Sequence, residues 1–230
     1  MKQLGLFAKY WEPGRVKTRL AESIGEQAAS HLHREFLASS LATFQSFPAE
    51  RILAYWPPDR RPEFAQLAGP TWNLLPQRAG HLGTRIQAYF AAAAESGQER
   101  TVLIGADSPT LSTTMVQDAF DQLKQHEVVI GPAQDGGYYL IGCRGIVPDI
   151  FEEIEWGSGR VFEQTIRQLK STGLSYAVLA PWYDVDRLDD LLALHQELTN
   201  PAPGQSPNQD LVAAVGQIVA ELTIEDRSKS

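Results

Sequence analysis

The chain has 230 residues, of which 43% are hydrophobic and 21% charged, with a formal net charge of −8. That length suits one large core, and the acidic balance excludes broad electrostatic attachment to nucleic acid or to an anionic membrane surface. Cys143 is the single cysteine, which excludes an intrachain disulfide and fits a reducing compartment.

No apolar segment reaches the roughly 20 residues that a bilayer span requires. Met1-Lys2-Gln3 leads into an apolar run too short for a secretory leader, so a cytoplasmic location is expected.

Residues 4–8, Leu-Gly-Leu-Phe-Ala, form that short run and predict a buried first strand. Directly after it, Lys9, Arg15, Lys17 and Arg19 crowd into a Pro/Gly-containing segment that ends at Leu20. A cation cluster in a loop at the end of a strand is where α/β proteins hold phosphate. In an acidic chain it predicts a pocket for a small, highly charged anion such as a nucleotide diphosphate.

Residues 26–44 carry Ala29, Leu32, Phe36, Leu37, Leu41 and Phe44 at helical spacing, and residues 52–56 read as the next strand. A further strand is expected at 72–75, then a helix from Leu82 with Ile86, Tyr89, Phe90 and Ala93 on one face. Between them lie Gln77 and Gly83, either contacts to a nucleotide base or ribose or parts of a strand–helix connection.

Residues 101–105 predict another buried strand, and Ser112 caps a helix carrying Met115, Ala119, Phe120 and Leu123. Strand 128–131 follows. Continuous apolar strands separated by amphipathic helices indicate an α/β fold, a mainly parallel sheet with helices on both faces. Residues 136–142 read as a strand entered through a glycine turn, with antiparallel pairing open. Ser158 is expected to cap a helix through Val161, Thr165, Ile166 and Leu169, and residues 176–179 form a late strand. Residues 201–207, rich in proline, read as a linker, and 211–222 as a terminal helix. The expected division is a domain over 1–200 and, over 201–230, a linker and helix packed on that domain or on a partner subunit.

Several acidic residues fall where chemistry is expected. Asp107 follows a buried strand, at the sheet edge where open α/β folds bind ligands. There it either holds Mg²⁺ or Mn²⁺ across a diphosphate or serves as a turn or cap aspartate before Pro109. Asp184 and Asp186 lie two apart, so in an extended segment both face one ion; otherwise Asp186 caps the helix suggested by Leu188, Leu191, Leu192 and Leu194. Asp135 precedes Gly136, Gly137, Tyr138 and Tyr139. It is a candidate base or acceptor-positioning group, with the tyrosines lining a pocket, unless the segment is a tight turn with core tyrosines.

Other motifs are missing. Lys17-Thr18 lacks the glycine spacing of a P-loop, no G-x-G-x-x-G opens the first helix, and Ser108 lacks the flanking glycines of a nucleophile elbow. His31 and His33, two apart on a helix, diverge and do not make a zinc pair.

Taken in order, the 7–20 segment, Gly80-His81-Leu82-Gly83, Gly105-Ala106-Asp107-Ser108-Pro109, residues 131–140, Trp156 and Asp184-Val185-Asp186 resemble a family of small bacterial transferases. That family has a GT-A-like, Rossmann-type nucleotide-diphospho-sugar transferase fold. Its members are known as arsenosugar-biosynthesis glycosyltransferases or partners of radical-SAM proteins, and the fold is shared with guanylyltransferases acting on 2-phospholactate and molybdopterin. The resemblance implies a nucleotide-binding segment made of Phe7, Ala8, Lys9, Arg15, Lys17 and Arg19, joined by Gln77, Gly83 and Asp107. It further implies Mg²⁺ or Mn²⁺ on Asp107 and Asp186; Asp135 as the catalytic group and an acceptor pocket at Gly136, Gly137 and Tyr138 are the expectations read from the residues themselves. His81 stands where the family leads one to expect an acidic residue.

The expected function is a metal-dependent glycosyltransferase with a nucleotide-diphospho-sugar donor and a small-molecule acceptor. The alternatives are a guanylyltransferase-like nucleotidyltransferase that releases pyrophosphate from an NTP, or a non-catalytic nucleotide-binding module. Neither nucleic acid nor membrane is expected as a partner, and the oligomeric state is open.

Overall fold

In the computed structural model, residues 1–145, 150–201 and 207–228 are described. Among them, seven strands build one sheet: β1 (Lys2–Lys9), β2 (Glu50–Trp56), β3 (Asn73–Pro76), β4 (Arg100–Gly105), β5 (Val128–Pro132), β6 (Tyr138–Arg144) and β7 (Tyr176–Val178). Their order across the sheet is β3-β2-β1-β4-β6-β5-β7. Every pairing is parallel except those of β6, which runs antiparallel to both β4 and β5. The strand direction left open for residues 136–142 is therefore antiparallel.

Alternation along the strands sends side chains to two separate cores. Leu4, Leu6, Val102 and Ile104 face one cluster and Leu103 the other. On the first face lie α2 (Glu26–Phe44), α3 (Arg61–Ala68) and α5 (Thr113–Gln122), through Leu37, Leu41, Phe64 and Phe120. On the second lie α4 (Leu82–Glu95) and α6 (Val161–Thr172), through Ile86, Phe90 and Leu169. Cys143 is buried in β6 beside them.

A third cluster lies outside the sheet. Here α1 (Thr18–Ile24) and α2 meet α7 (Leu188–Thr199) and α8 (Gln209–Ser228) through Leu20, Phe36, Leu194, Leu211 and Val215. The terminal helix thus packs back on the same chain, while residues 202–206 of the expected linker lie outside the described residues. Among the described residues, no helix is long and apolar enough to cross a membrane.

Two expected caps form differently. α6 starts after Arg160, and Ser158 Oγ accepts from the Arg160 backbone N–H (3.3 Å) instead of capping the helix. α7 starts after Arg187, and Asp190 Oδ2 accepts from the backbone N–H groups of Asp186 (3.0 Å) and Arg187 (2.8 Å). Asp186 is not the cap because the helix begins one residue later, with Arg187 in the cap position and Asp190 of the first turn reaching back to its N–H. The Asp186 side chain turns instead to Lys17.

The topology fixes the site. β1 is flanked by β2 on one side and β4 on the other, so the connections from the centre of the sheet run in opposite directions. Such a switch point leaves a crevice outside the carboxyl ends of the parallel strands. The loop after β1, Asp107 after β4 and the 184–186 segment after β7 all emerge at that end.

Candidate active site

The loop after β1 turns at Gly14 (φ 73°) and again at Lys17, whose φ of 47° is left-handed. This conformation is uncommon for a residue with a side chain and concentrates at functional positions. It aims Lys17 inward. Its side chain is 2% exposed, with Nζ paired to Asp107, 2.9 Å from Asp186 Oδ1 and 5.6 Å from the centre of the Phe36 ring.

The loops bearing these carboxylates are joined through the backbone. Val185 donates to the Asp107 carbonyl (3.0 Å), and Gln134 donates to the Trp182 carbonyl (3.2 Å). Desolvation opposes ionisation of the half-exposed Asp107 carboxyl, but the Lys17 ammonium and the adjacent His33 outweigh it and hold the carboxyl below the usual carboxylate range. Burial likewise opposes the charge on Lys17, and the two carboxylates raise its pKa nonetheless.

The Asp184 and Asp186 side chains take separate partners. Asp186 pairs with Lys17, while Asp184 accepts the Ser108 hydroxyl proton. Both nonetheless line one cleft, with Val185 buried between them, as residues two apart in an extended segment do. Burial pushes Asp184 up to about 7, the Ser108 hydrogen bond works in the opposite direction, and the charge on Asp107 adds to the rise.

A carboxyl whose pKa is raised by folding is neutral at no cost below its unfolded value and destabilises as pH climbs toward its folded value. Asp184→Asn, measured without metal, is therefore expected to melt like wild type near pH 4 and above it at pH 8. With allowance for solvent access, the gain is about 2 kcal/mol, or about 4–8 °C. Equal melting temperatures at both pH values would remove Asp184 from the set of strained groups.

A cleft of about 460 Å³ opens beside these charges. Lys17, Arg19, Asp135, Asp184 and Asp186 supply its polar wall, and Leu82, Tyr138, Trp156 and Val161 its apolar wall. Tyr138 and Trp156 meet edge to face at 6.3 Å. Asp135 is exposed on an Asx turn, with its Oδ1 accepting from the Gly137 N–H at 2.8 Å. Gly136 has φ 88°, and its carbonyl accepts from Phe162 N–H (2.8 Å), so this turn also anchors the start of α6. Gly137 and Tyr138 reach the cleft, while Gly136 packs against Gly159.

The other expected nucleotide contacts are placed differently. Phe7 packs edge to face on Tyr89 at 5.5 Å, and Ala8 is buried in β1. Lys9 Nζ donates to the Arg15 carbonyl (2.6 Å), bracing the loop, while the Arg15 side chain is exposed. Gln77 Nε2 donates to the carbonyls of Ala54 (2.7 Å) and Ala8 (3.3 Å), locking the ends of β1 and β2 together. Gly83 admits close packing, since a Cβ there would sit 2.8 Å from both the Phe151 carbonyl oxygen and Trp156 Nε1. None of these six residues lines the 460 Å³ cleft. His81 caps α4, its Nδ1 accepting from Thr84 N–H at 3.4 Å.

His33 and Ser108 are additional site residues. His33 Nε2 donates to the Lys9 carbonyl (3.1 Å) and its Nδ1 lies 3.7 Å from Asp107. Its sequence signal is a polar residue beside Leu32 and Phe36 on the buried side of α2.

Asp107 and Asp186 both reach one cationic atom, Lys17 Nζ, and so present oxygens to a single cationic position. Among the described residues, no group of three or more His, Cys, Asp or Glu converges as a ready ligand set. Two carboxylates, with water and ligand oxygens completing the shell, still suit Mg²⁺ or Mn²⁺.

Comparison with known proteins extends the picture. The bacterial family described as "Uncharacterized protein conserved in bacteria (DUF2064)" matches residues 39–158. A structure from Desulfovibrio desulfuricans G20, assigned as a nucleotide-diphospho-sugar transferase, is 33% identical with a TM-score of 0.88, over 96% of both chains. The 4-diphosphocytidyl-2C-methyl-D-erythritol synthase of Anaerococcus prevotii DSM 20548 shares 11% identity over 86% of this chain and 96% of its own, with a TM-score of 0.59. A nucleotidyl transferase from Methanothermobacter thermautotrophicus shares 14% over 88% of this chain and 99% of its own, with a TM-score of 0.56. No curated protein matches the sequence. The sheet topology and these likenesses identify a GT-A/Rossmann-like nucleotidyltransferase fold, and the chain belongs to the bacterial DUF2064 family.

Proposed function

We propose that the chain is a nucleotide-dependent transferase that moves a nucleotidyl group from a nucleoside triphosphate to a small acceptor. The observation that carries this reading is the convergence of Asp107 and Asp186 on one cationic position beside a cleft that also holds Arg19. It lies at the edge where α/β sheets bind nucleotides. An acceptor oxygen attacks the α-phosphorus, the bond to the bridging oxygen of the β-phosphate breaks, and pyrophosphate leaves. Lys17 and Arg19, which line the cleft, offset the charge on the departing group. Asp107 and Asp186 hold Mg²⁺ or Mn²⁺, which neutralises phosphate charge when bound. Asp135, on the same polar wall of the cleft, orients the acceptor hydroxyl and takes its proton.

Support for nucleotidyl transfer comes from the nucleotidyl and cytidylyl transferases whose fold this chain shares over nearly their whole length. A glycosyltransferase reading is favoured by the assignment of the 33% identical relative and by the Tyr138–Trp156 wall, which suits a sugar ring. The arsenosugar-biosynthesis resemblance belongs with this second reading.

The products separate the two. Incubation with an NTP panel, Mn²⁺ and candidate acceptors is expected to release pyrophosphate in an acceptor-dependent manner. Release of a nucleoside diphosphate from a nucleotide sugar, without pyrophosphate from any NTP, would establish glycosyl transfer instead. Binding without turnover across both panels would leave the non-catalytic reading.

A further inference from the structure

We propose that Lys17 is the resident counter-ion of the Asp107–Asp186 pair, so that this site takes a metal–polyphosphate chelate as a unit and binds either component poorly alone. The proposal rests on the reading of Asp107 and Asp186 as metal ligands. It concerns what occupies their position before the ligand arrives.

The Lys17 ammonium is held from several directions. It pairs with Asp107, lies 2.9 Å from Asp186 Oδ1, stands over the Phe36 ring at 5.6 Å, and its side chain is 2% exposed. A divalent ion bound to the same two oxygens cannot coexist with it. Like charges a few ångströms apart repel by at least about 1–4 kcal/mol per unit-charge pair, even where solvent screens them well. Metal binding therefore requires the ammonium to leave.

Leaving is unfavourable unless another anion receives the ammonium, because the carboxylate contacts are what offset its burial. The cleft supplies a place for that anion. Lys17 and Arg19 line it together with Asp186, so a polyphosphate there lies within reach of a rotated lysine side chain. The backbone need not move. The Lys17 carbonyl accepts from Ala21 N–H at 2.8 Å, which anchors the left-handed residue to the first turn of α1.

Each component thus removes the obstacle to the other. Polyphosphate alone meets the carboxylates of Asp135, Asp184 and Asp186 on the cleft wall while Lys17 is already paired. Metal alone meets a pair already neutralised by Lys17. Such coupling is reciprocal, and the factor by which polyphosphate tightens metal equals that by which metal tightens polyphosphate.

The test uses Mn²⁺ and inorganic pyrophosphate as probes, with bound Mn²⁺ followed by loss of the free-ion electron paramagnetic resonance signal. Values are corrected for chelation in solution. Pyrophosphate is expected to tighten Mn²⁺ binding to the wild-type protein by about tenfold or more. In Lys17→Met, Mn²⁺ alone is expected to bind about tenfold tighter than to wild type, with the pyrophosphate effect diminished to what direct phosphate–metal contact supplies. Lys17→Arg retains a cation and is expected to remain as weak for Mn²⁺ alone as wild type. Equal Mn²⁺ affinity in wild type and Lys17→Met would overturn the counter-ion role while leaving the metal site in place. The wild-type measurement needs no variant: identical affinity with and without pyrophosphate overturns the proposal even if Lys17→Met does not fold. No saturable Mn²⁺ binding in any of these proteins would remove the metal reading and the proposal together.

Discussion

Asp107→Asn is expected to lower turnover by about 10²–10³-fold, the range typical for loss of one preorganised electrostatic group at a reacting centre. The substitution keeps the shape of the side chain and removes its charge. Lys17 then retains Asp186 at 2.9 Å as its remaining carboxylate partner, and the divalent ion proposed for this position would lose one of its two carboxylates. The Asp107 carbonyl continues to accept from Val185 N–H, so the 184–186 loop remains attached through the backbone. The fold is accordingly expected to persist, with a melting temperature within a few degrees of wild type, because the side chain is 47% exposed and its ion pair is partly screened. Pyrophosphate release measured beside a melting curve separates the two effects. A folded Asp107→Asn protein that retains more than about a third of wild-type turnover would take this carboxylate out of the reaction.

The four cations that mark the sequence after β1 divide their work in a way that spacing alone does not disclose. Lys9 braces the loop through the Arg15 carbonyl, Lys17 is buried against acids from distant loops, and Arg15 and Arg19 remain exposed. A cluster of positive charge in an acidic chain shows that an anion is expected there. Which cation already has an anion of its own depends on contacts with residues roughly ninety and a hundred and seventy positions away. No local pattern carries that information.

The same limit explains what the sequence did and did not disclose of the fold. Strands β1, β4 and β5 are legible because they are buried on both faces and read as unbroken apolar runs. Helices α2, α4 and α5 are legible because each lays an apolar stripe on the sheet. α1 is not, since within Thr18–Ile24 only Leu20 is buried and one apolar contact sets no period. α3 is hidden for a similar reason, with only Phe64 and Ala68 buried. At the site, Asp107 and Asp135 are legible from their places after a strand and before a double glycine. His33 is not, because its partners, the Lys9 carbonyl and Asp107, are brought to it by the sheet.

Gly136→Ala is expected to be the most destabilising of these substitutions, by roughly 3 kcal/mol or more. Two independent penalties coincide there. The residue sits at φ 88°, where a side chain is strained whatever the surrounding space, and a Cβ would lie 2.0 Å from the Gly159 carbonyl oxygen. That neighbour is backbone and cannot rotate away. Relief requires the 135–137 turn and the 157–159 segment to separate, which breaks the hydrogen bond from Phe162 N–H to the Gly136 carbonyl and loosens the start of α6. Both segments line the cleft through Asp135, Gly157 and Ser158, so the separation also displaces Asp135 from its place among the cleft's charges. The melting temperature is expected to fall by about 6–12 °C for a chain of this size, with activity lost below the melting transition as well. The neighbouring Gly137→Ala provides the contrast. At Gly137 a Cβ would meet the Asp135 carboxylate at 3.1 Å, a side chain free to shift, and its φ lies outside the left-handed region. A smaller loss of stability is expected there, and equal losses at both positions would mean that backbone contact with Gly159 does not set the position of this turn.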